Sequence, residues 1–253
     1  MGTRTNNAPG TFSWVDLATT DVDAARDFYT SLFGWTGDTE AGGSMLRLDG
    51  SLVSAIFPLS DESRAAGAPA SWTSYVTVAD VDATAARALE LGGTVTRDAF
   101  DIADVGRVAL IEDPQGAVVA LWQAGTHFGA ERVNDIGCLC MNELATSDLD
   151  AARAFYEQLF GWTTGLVDTG PGGPTLVWVQ NDGALNAHMS VEPGPPHWRP
   201  YFTVASTATT IEQLEALGGS VVAGPFPIPD GSIAVVRDPQ GAEFALFEGE
   251  TDP

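Results

Sequence analysis

The chain repeats itself, and the repeat limits what it can fold into. Asp16-Leu-Ala-Thr-Thr-Asp-Val-Asp-Ala-Ala-Arg-Asp-Phe-Tyr-Thr-Ser-Leu-Phe-Gly-Trp35 returns as Glu143-Leu-Ala-Thr-Ser-Asp-Leu-Asp-Ala-Ala-Arg-Ala-Phe-Tyr-Glu-Gln-Leu-Phe-Gly-Trp162, with fourteen of twenty positions identical at an offset of 127. Asp113-Pro-Gln-Gly-Ala recurs in the same way as Asp238-Pro-Gln-Gly-Ala. Two copies of one sequence pattern call for two copies of one architecture. A site built into one copy is then expected to leave a trace in the other.

Periodicity divides each copy again. Apolar residues alternate through Trp14–Thr19, which reads as a strand. Thr20 or Asp21 caps a helix whose apolar stripe is Val22, Ala25, Phe28, Tyr29, Leu32 and Phe33, and Gly34 stops it. Short strands fit 44–48, 52–57 and part of the region before Pro58. The pattern restarts at Ser71-Trp-Thr-Ser-Tyr-Val-Thr-Val, with Asp80 as cap, a helix ending at Gly92-Gly93, and strands near 94–97, 106–112 and 117–122. The second half repeats it: strand 139–145, helix 149–160, strands near 175–180, 184–191 and 200–205, helix 207–217, and strands 220–223, 232–237 and 242–247. The reading is an α+β chain of four βαβββ units in two domains, residues 1–127 and 133–253, joined through Gly125-Thr-His-Phe-Gly-Ala-Glu-Arg.

Charge excludes some partners. A formal net charge of −23 argues against nucleic acid, whose phosphates call for clustered cations. All eleven cations are Arg, so lysine chemistry is absent. Cys138 and Cys140 stand two apart on a strand, which points them to one face, and a disulfide between such neighbours is geometrically poor. No apolar run reaches membrane-spanning length and the N-terminus lacks a secretory apolar core. The expectation is a cytoplasmic protein with no membrane partner, a monomer or weak homodimer.

The strand, Asp-(Val/Leu)-Asp-Ala-Ala-Arg-x-Phe-Tyr-x-x-Leu-Phe-Gly-Trp, and the later Asp-Pro-Gln-Gly strand entry resemble the vicinal oxygen chelate superfamily. That group holds glyoxalase I, extradiol dioxygenases, and fosfomycin- and bleomycin-resistance proteins. The resemblance covers almost the whole chain and implies two glyoxalase-like domains, each a pair of βαβββ units whose curled mixed sheets form an open cup, with the helices outside. In metal-using members it also implies ligands at positions that here hold Trp14, Thr73 and Ala120, and in the second half Met141, Arg199 and Ala245. None is a His, Cys or carboxylate. His127 lies in the linker, His197 in Pro195-Pro-His-Trp, and His188 alone on a strand. The expectation is no metal and no cofactor.

Strand alternation then chooses what faces each cup. With Val15 and Leu17 on the helix side, Trp14, Asp16 and Ala18 turn inward, as do Thr73, Tyr75 and Thr77, and Val118, Ala120 and Trp122. The second half offers Met141, Glu143 and Ala145; Arg199, Tyr201 and Thr203; Glu243, Ala245 and Phe247. Trp14, Thr73, Tyr75, Trp122, Met141, Arg199, Tyr201 and Phe247 are the candidate ligand-binding residues. An aromatic wall with a few convergent polar groups suits a small molecule. Asp16 and Glu143, at equivalent positions, are candidate acid–base residues if burial raises their pKa, and Arg199 is a partner that would lower that of Glu143. Phe28-Tyr29, Phe155-Tyr156, Trp35, Trp162 and the Asp-Pro-Gln-Gly turns read as structural. Three functions stay open: a metal-independent binder of a small aromatic or heteroaromatic molecule, a glyoxalase-related lyase, isomerase or hydroxylase-like enzyme using Asp16 or Glu143, and an interaction protein with degenerate cups.

Overall fold

The structure is a computed structural model, described over residues 2–40, 42–167, 175–229 and 231–251. The first unit contains β2 (Phe12–Thr19), α1 (Val22–Phe33), β3 (Thr36–Glu40), β4 (Gly43–Leu48) and β5 (Ser51–Pro58), preceded by the short β1 (Gly2–Thr3). A short helix, α2 (Asp61–Ala65), leads to the second unit: β6 (Ser71–Thr77), α3 (Val81–Glu90), β7 (Thr94–Ile102), β8 (Gly106–Glu112) and β9 (Val118–Ala124). After β10 (Arg132–Val133) the third unit runs β11 (Leu139–Thr146), α4 (Leu149–Phe160), β12 (Thr163–Leu166), β13 (Leu176–Asn181) and β14 (Ala184–Val191). The fourth is β15 (His197–Thr203), α5 (Thr207–Ala216), β16 (Ser220–Ile228), β17 (Gly231–Arg237) and β18 (Glu243–Glu248). Strands β3 and β12 and helix α2 add to what periodicity reads; β3 and β12 begin directly after a Gly-Trp helix stop, in Thr- and Gly-rich sequence with little alternation.

Caps set the helix limits in both copies. The Asp21 and Asp148 carboxylates each accept a hydrogen bond from the N–H three residues on, at 3.0 Å. Gly34 and Gly161 close the same helices with φ of 72° and 74°, a conformation glycine adopts without steric cost.

Each half forms one eight-stranded mixed sheet, in the orders β3-β4-β5-β2-β6-β9-β8-β7 and β12-β13-β14-β11-β15-β18-β17-β16. Two units join within a half by antiparallel pairing of their first strands, β2 with β6 and β11 with β15. The expected α+β architecture of four βαβββ units in two glyoxalase-like halves is therefore present.

The cores do not stay within the halves. Val15, Phe28, Tyr29 and Phe33 of the first unit pack with Phe202, Leu214 and Phe244 of the fourth. Val76, Val81 and Val119 of the second unit pack with Phe155, Tyr156 and Trp198 of the third. The helices lie outside the cups, as expected, and the helix-bearing faces of the two sheets meet. The apolar stripes of the helices are buried between their own sheet and the other half.

Matched polar contacts lock this arrangement. Trp72 Nε1 donates to the Tyr29 hydroxyl (3.2 Å), which donates to Asp238 (3.0 Å). Trp198, Tyr156 and Asp113 repeat the chain at 2.9 and 3.1 Å. Trp35 Nε1 donates to Gly137 O, and Trp162 Nε1 to Gly10 O, both at 2.7 Å. Buried polar groups are satisfied here by the opposite copy, which fixes how the halves dock.

Candidate functional site

Alternation gives the right faces. Val15 and Leu17 lie in the helix-side core, whereas Trp14 lies in a separate cluster on the cup side. Val119 and Leu121 likewise face the core and Ala120 and Trp122 the first cup. The two cups are nevertheless filled differently.

In the first cup the space is taken by the segment joining the halves. Ala130, 1 % exposed, packs on Trp14, Leu52 and Ala55. Its N–H donates to Ser13 O at 2.8 Å, and Glu131 N–H donates to Leu52 O at 2.8 Å. The Glu131 carboxylate accepts the Leu52 N–H at 2.7 Å. The His127 ring stands edge-on to Trp14 at 4.7 Å and lies 5.8 Å from Trp122, whose Nε1 donates to His127 O. Gly129 makes this approach possible: with φ of 116°, a Cβ there would stand 2.4 Å from Ser13 O. Trp14 and Trp122 therefore face the cup as expected, but with 5 % and 4 % of their surfaces exposed they are covered by the chain itself.

Asp16 sits beside this plug, with Thr73 opposite it on β6. The Tyr75 hydroxyl donates to its carboxylate at 2.6 Å. Burial pushes the Asp16 pKa up to about 7, against the lowering effect of that hydrogen bond.

The second cup encloses a cavity of about 510 Å³. Met141, Leu139, Leu176, Ile233 and Phe247 give it an apolar wall, and Glu143, His188 and Tyr201 a polar patch. Arg4, Asn7 and Thr11 of the N-terminal arm complete it from the other half. That arm is tied down by Asn186, which accepts the Phe12 N–H at 3.1 Å and donates to Gly10 O at 3.0 Å.

Glu143 is 7 % exposed and does not stand alone. Arg199 Nη1 donates to its Oε2 at 2.9 Å, and the Tyr201 hydroxyl donates to the same oxygen. Arg199, 2 % exposed, also binds Glu192 and Glu243 at 2.8 and 2.7 Å. It anchors Glu143 from behind, outside the cavity lining. Thr73, its counterpart in the first half, brings no charge to Asp16. His188 is paired in register with Glu143 on β14, and burial holds its imidazole below the ordinary value while the Glu143 charge acts the other way.

Of the expected ligand-binding residues, Met141, Tyr201 and Phe247 line this cavity together with Glu143, while Trp14, Thr73, Tyr75 and Trp122 belong to the other cup. Sequence reasoning missed the arm residues Arg4, Asn7 and Thr11, because no periodicity marks an irregular segment that folds over the opposite half. The cysteines need a correction. A bulge between Leu139 and Met141 splits them, so that Cys138 enters the helix-side core and Cys140 the cavity wall. Burial pushes both thiols up to about 12, leaving them protonated.

The residues at the resemblance's metal positions do not fit a divalent ion. Trp14, Ala120 and Ala245 are buried without a donor atom to offer, and Arg199 places a permanent cation there. Thr73 and Met141 supply no deprotonated donor. Among the described residues no group of three or more His, Cys, Asp or Glu is placed to hold a metal. No described helix is long and apolar enough to cross a membrane.

Comparison with known proteins agrees with this architecture. A family model described as Glyoxalase/Bleomycin resistance protein/Dioxygenase superfamily matches residues 11–121, and one described as Glyoxalase-like domain matches 139–247. The chain is 43 % identical to "Putative glyoxylase CFP32" of Mycobacterium tuberculosis, covering 98 % of each chain. It is 36 % identical to "Anthracycline biosynthesis protein DnrV" of Streptomyces peucetius, over 96 % of this chain and 95 % of that one. Among solved structures, the Mn(II)-bound glyoxalase from Novosphingobium aromaticivorans superposes with a TM-score of 0.66 at 15 % identity, covering 97 % of this chain and 85 % of the other. A homoprotocatechuate 2,3-dioxygenase from B. fuscum gives 0.68 at 18 %, covering 99 % and 75 %. At such identity these two show the shared fold alone.

Proposed function

The chain belongs to the glyoxalase/bleomycin resistance protein/dioxygenase superfamily in tandem-duplicated form, and on that premise we propose that it binds a planar, partly apolar aromatic or heteroaromatic molecule in its second cup without a metal. The observation that carries this reading is the cavity of about 510 Å³, within the range of small-molecule sites, in which an apolar wall faces Glu143, His188 and Tyr201 and the N-terminal arm adds further polar residues. The donor chemistry at the six family positions supports a metal-free mode. The name of the Streptomyces relative, an anthracycline biosynthesis protein, supports a polycyclic ligand.

The test is isothermal titration of the wild type and of Met141→Trp with anthraquinone. The reading expects one site per chain, and about tenfold or weaker binding when an indole fills the cavity. Anthraquinone heat that is unchanged by Met141→Trp, or no heat in the wild type from either anthraquinone or its 2-hydroxy derivative, contradicts it.

A second reading is an enzyme. It is favoured by one observation, the Asp16 carboxyl at about 7 beside the Tyr75 hydroxyl, because a general base works best with its pKa near the working pH. Its test is whether Asp16 titrates near neutrality.

A further inference from the structure

The polar patch of the second cup is more specific than an aromatic pocket requires. Glu143 Oε2 already receives Arg199 Nη1 and the Tyr201 hydroxyl, while among the described residues Oε1 receives no donor. That second oxygen belongs to a carboxylate lining the cavity, so it is an acceptor awaiting a donor. Beside it, His188 lines the same cavity, and neither ring nitrogen has a hydrogen-bond partner among the described residues. A half-buried imidazole kept neutral carries one N–H to give. The two residues are register partners on adjacent strands, which separates their backbones by about 5 Å.

We propose that Glu143 and His188 together select ligands carrying a free hydroxyl and a carbonyl about 5 Å apart on one planar ring system, the hydroxyl donating to Glu143 and the carbonyl accepting from His188. Meta placement on an aromatic ring gives that spacing, as in a 2-hydroxyanthraquinone. Arg199 and Tyr201 are positioning residues: they hold the Glu143 carboxylate so that one oxygen remains for the ligand. A ligand lacking the hydroxyl leaves a buried carboxylate oxygen without a donor, and this is the costly side of hydrogen-bond discrimination.

The inference rests on the proposed binding of an aromatic molecule in this cup, and a ligand series separates the two. Wild-type protein is titrated with 2-hydroxyanthraquinone, 2-methoxyanthraquinone and anthraquinone, and the first two are repeated on Glu143→Gln and His188→Phe. The expected result is about tenfold tighter binding of the hydroxyl over the methoxy compound in the wild type. Glu143→Gln is expected to collapse that ratio toward unity. His188→Phe is expected to weaken both compounds alike, since both keep the carbonyl. Should Glu143→Gln fail to fold, the wild-type ratio and His188→Phe decide by themselves. Equal affinity of the hydroxyl and methoxy compounds overturns the selection while leaving aromatic binding standing. Failure of all three to bind overturns both.

Discussion

Asp16 and Glu143 occupy equivalent positions in the two copies and meet opposite electrostatic fates. Across from Glu143 stands Arg199, which bonds its carboxylate at 2.9 Å; across from Asp16 stands Thr73, which offers no charge. One copy therefore keeps its carboxylate compensated, whereas burial pushes Asp16 up to about 7. Between the ordinary value of 3.8 and about 7 the folded protein holds a proton that the unfolded chain has released. Stability must then fall as pH rises through that window and level off above it. Asp16→Asn removes the penalty, so its stability gain over the wild type is expected to grow from about pH 4 to about pH 7, reaching on the order of 2 kcal/mol after solvent screening is discounted. Urea midpoints across that range check it. A difference that does not vary with pH would mean Asp16 does not titrate near neutrality, and the enzyme reading would lose its support.

At the scale of elements, the Asp-Pro-Gln-Gly turns do more than reverse the chain. Gln240 Oε1 accepts from Thr19, Thr20 and the Asp21 N–H, and its Nε2 donates to Asp21 O at 2.9 Å. Gln115 binds Thr146 and Asp148 in the same way. Each turn thus fastens onto the N-terminal end of a helix in the opposite half. Gln240→Ala is expected to lower stability by about 1–2 kcal/mol, since it strips several orienting bonds at once. An unchanged melting temperature would refute that role. The turn itself was legible, because Pro and Gly at those positions have local reasons. The role of Gln240 was not, because its partners lie more than two hundred residues away. The same contrast holds elsewhere: Asp21, Gly34, Asp148 and Gly161 announce α1 and α4 through local capping, whereas the bulge that separates Cys138 from Cys140 arises from pairing with β15.

For the whole molecule, duplication made a symmetric frame with asymmetric cups. The frame was legible, since the repeat and alternation place Trp14 and Trp122 on one cup face and Met141, Tyr201 and Phe247 on the other. What fills each cup was not, because it depends on the two irregular segments, the linker in the first and the N-terminal arm along the second. Gly129 was the local trace of the plug, a glycine where Ser13 O leaves no room for a side chain. The central claim is that small-molecule binding belongs to the second cup, and photolabelling with a diazirine-bearing anthraquinone tests it most directly. Saturable labelling of peptides holding Met141 or Phe247 is the predicted result; labelling of peptides holding Trp14, Trp122 or His127 instead would contradict it.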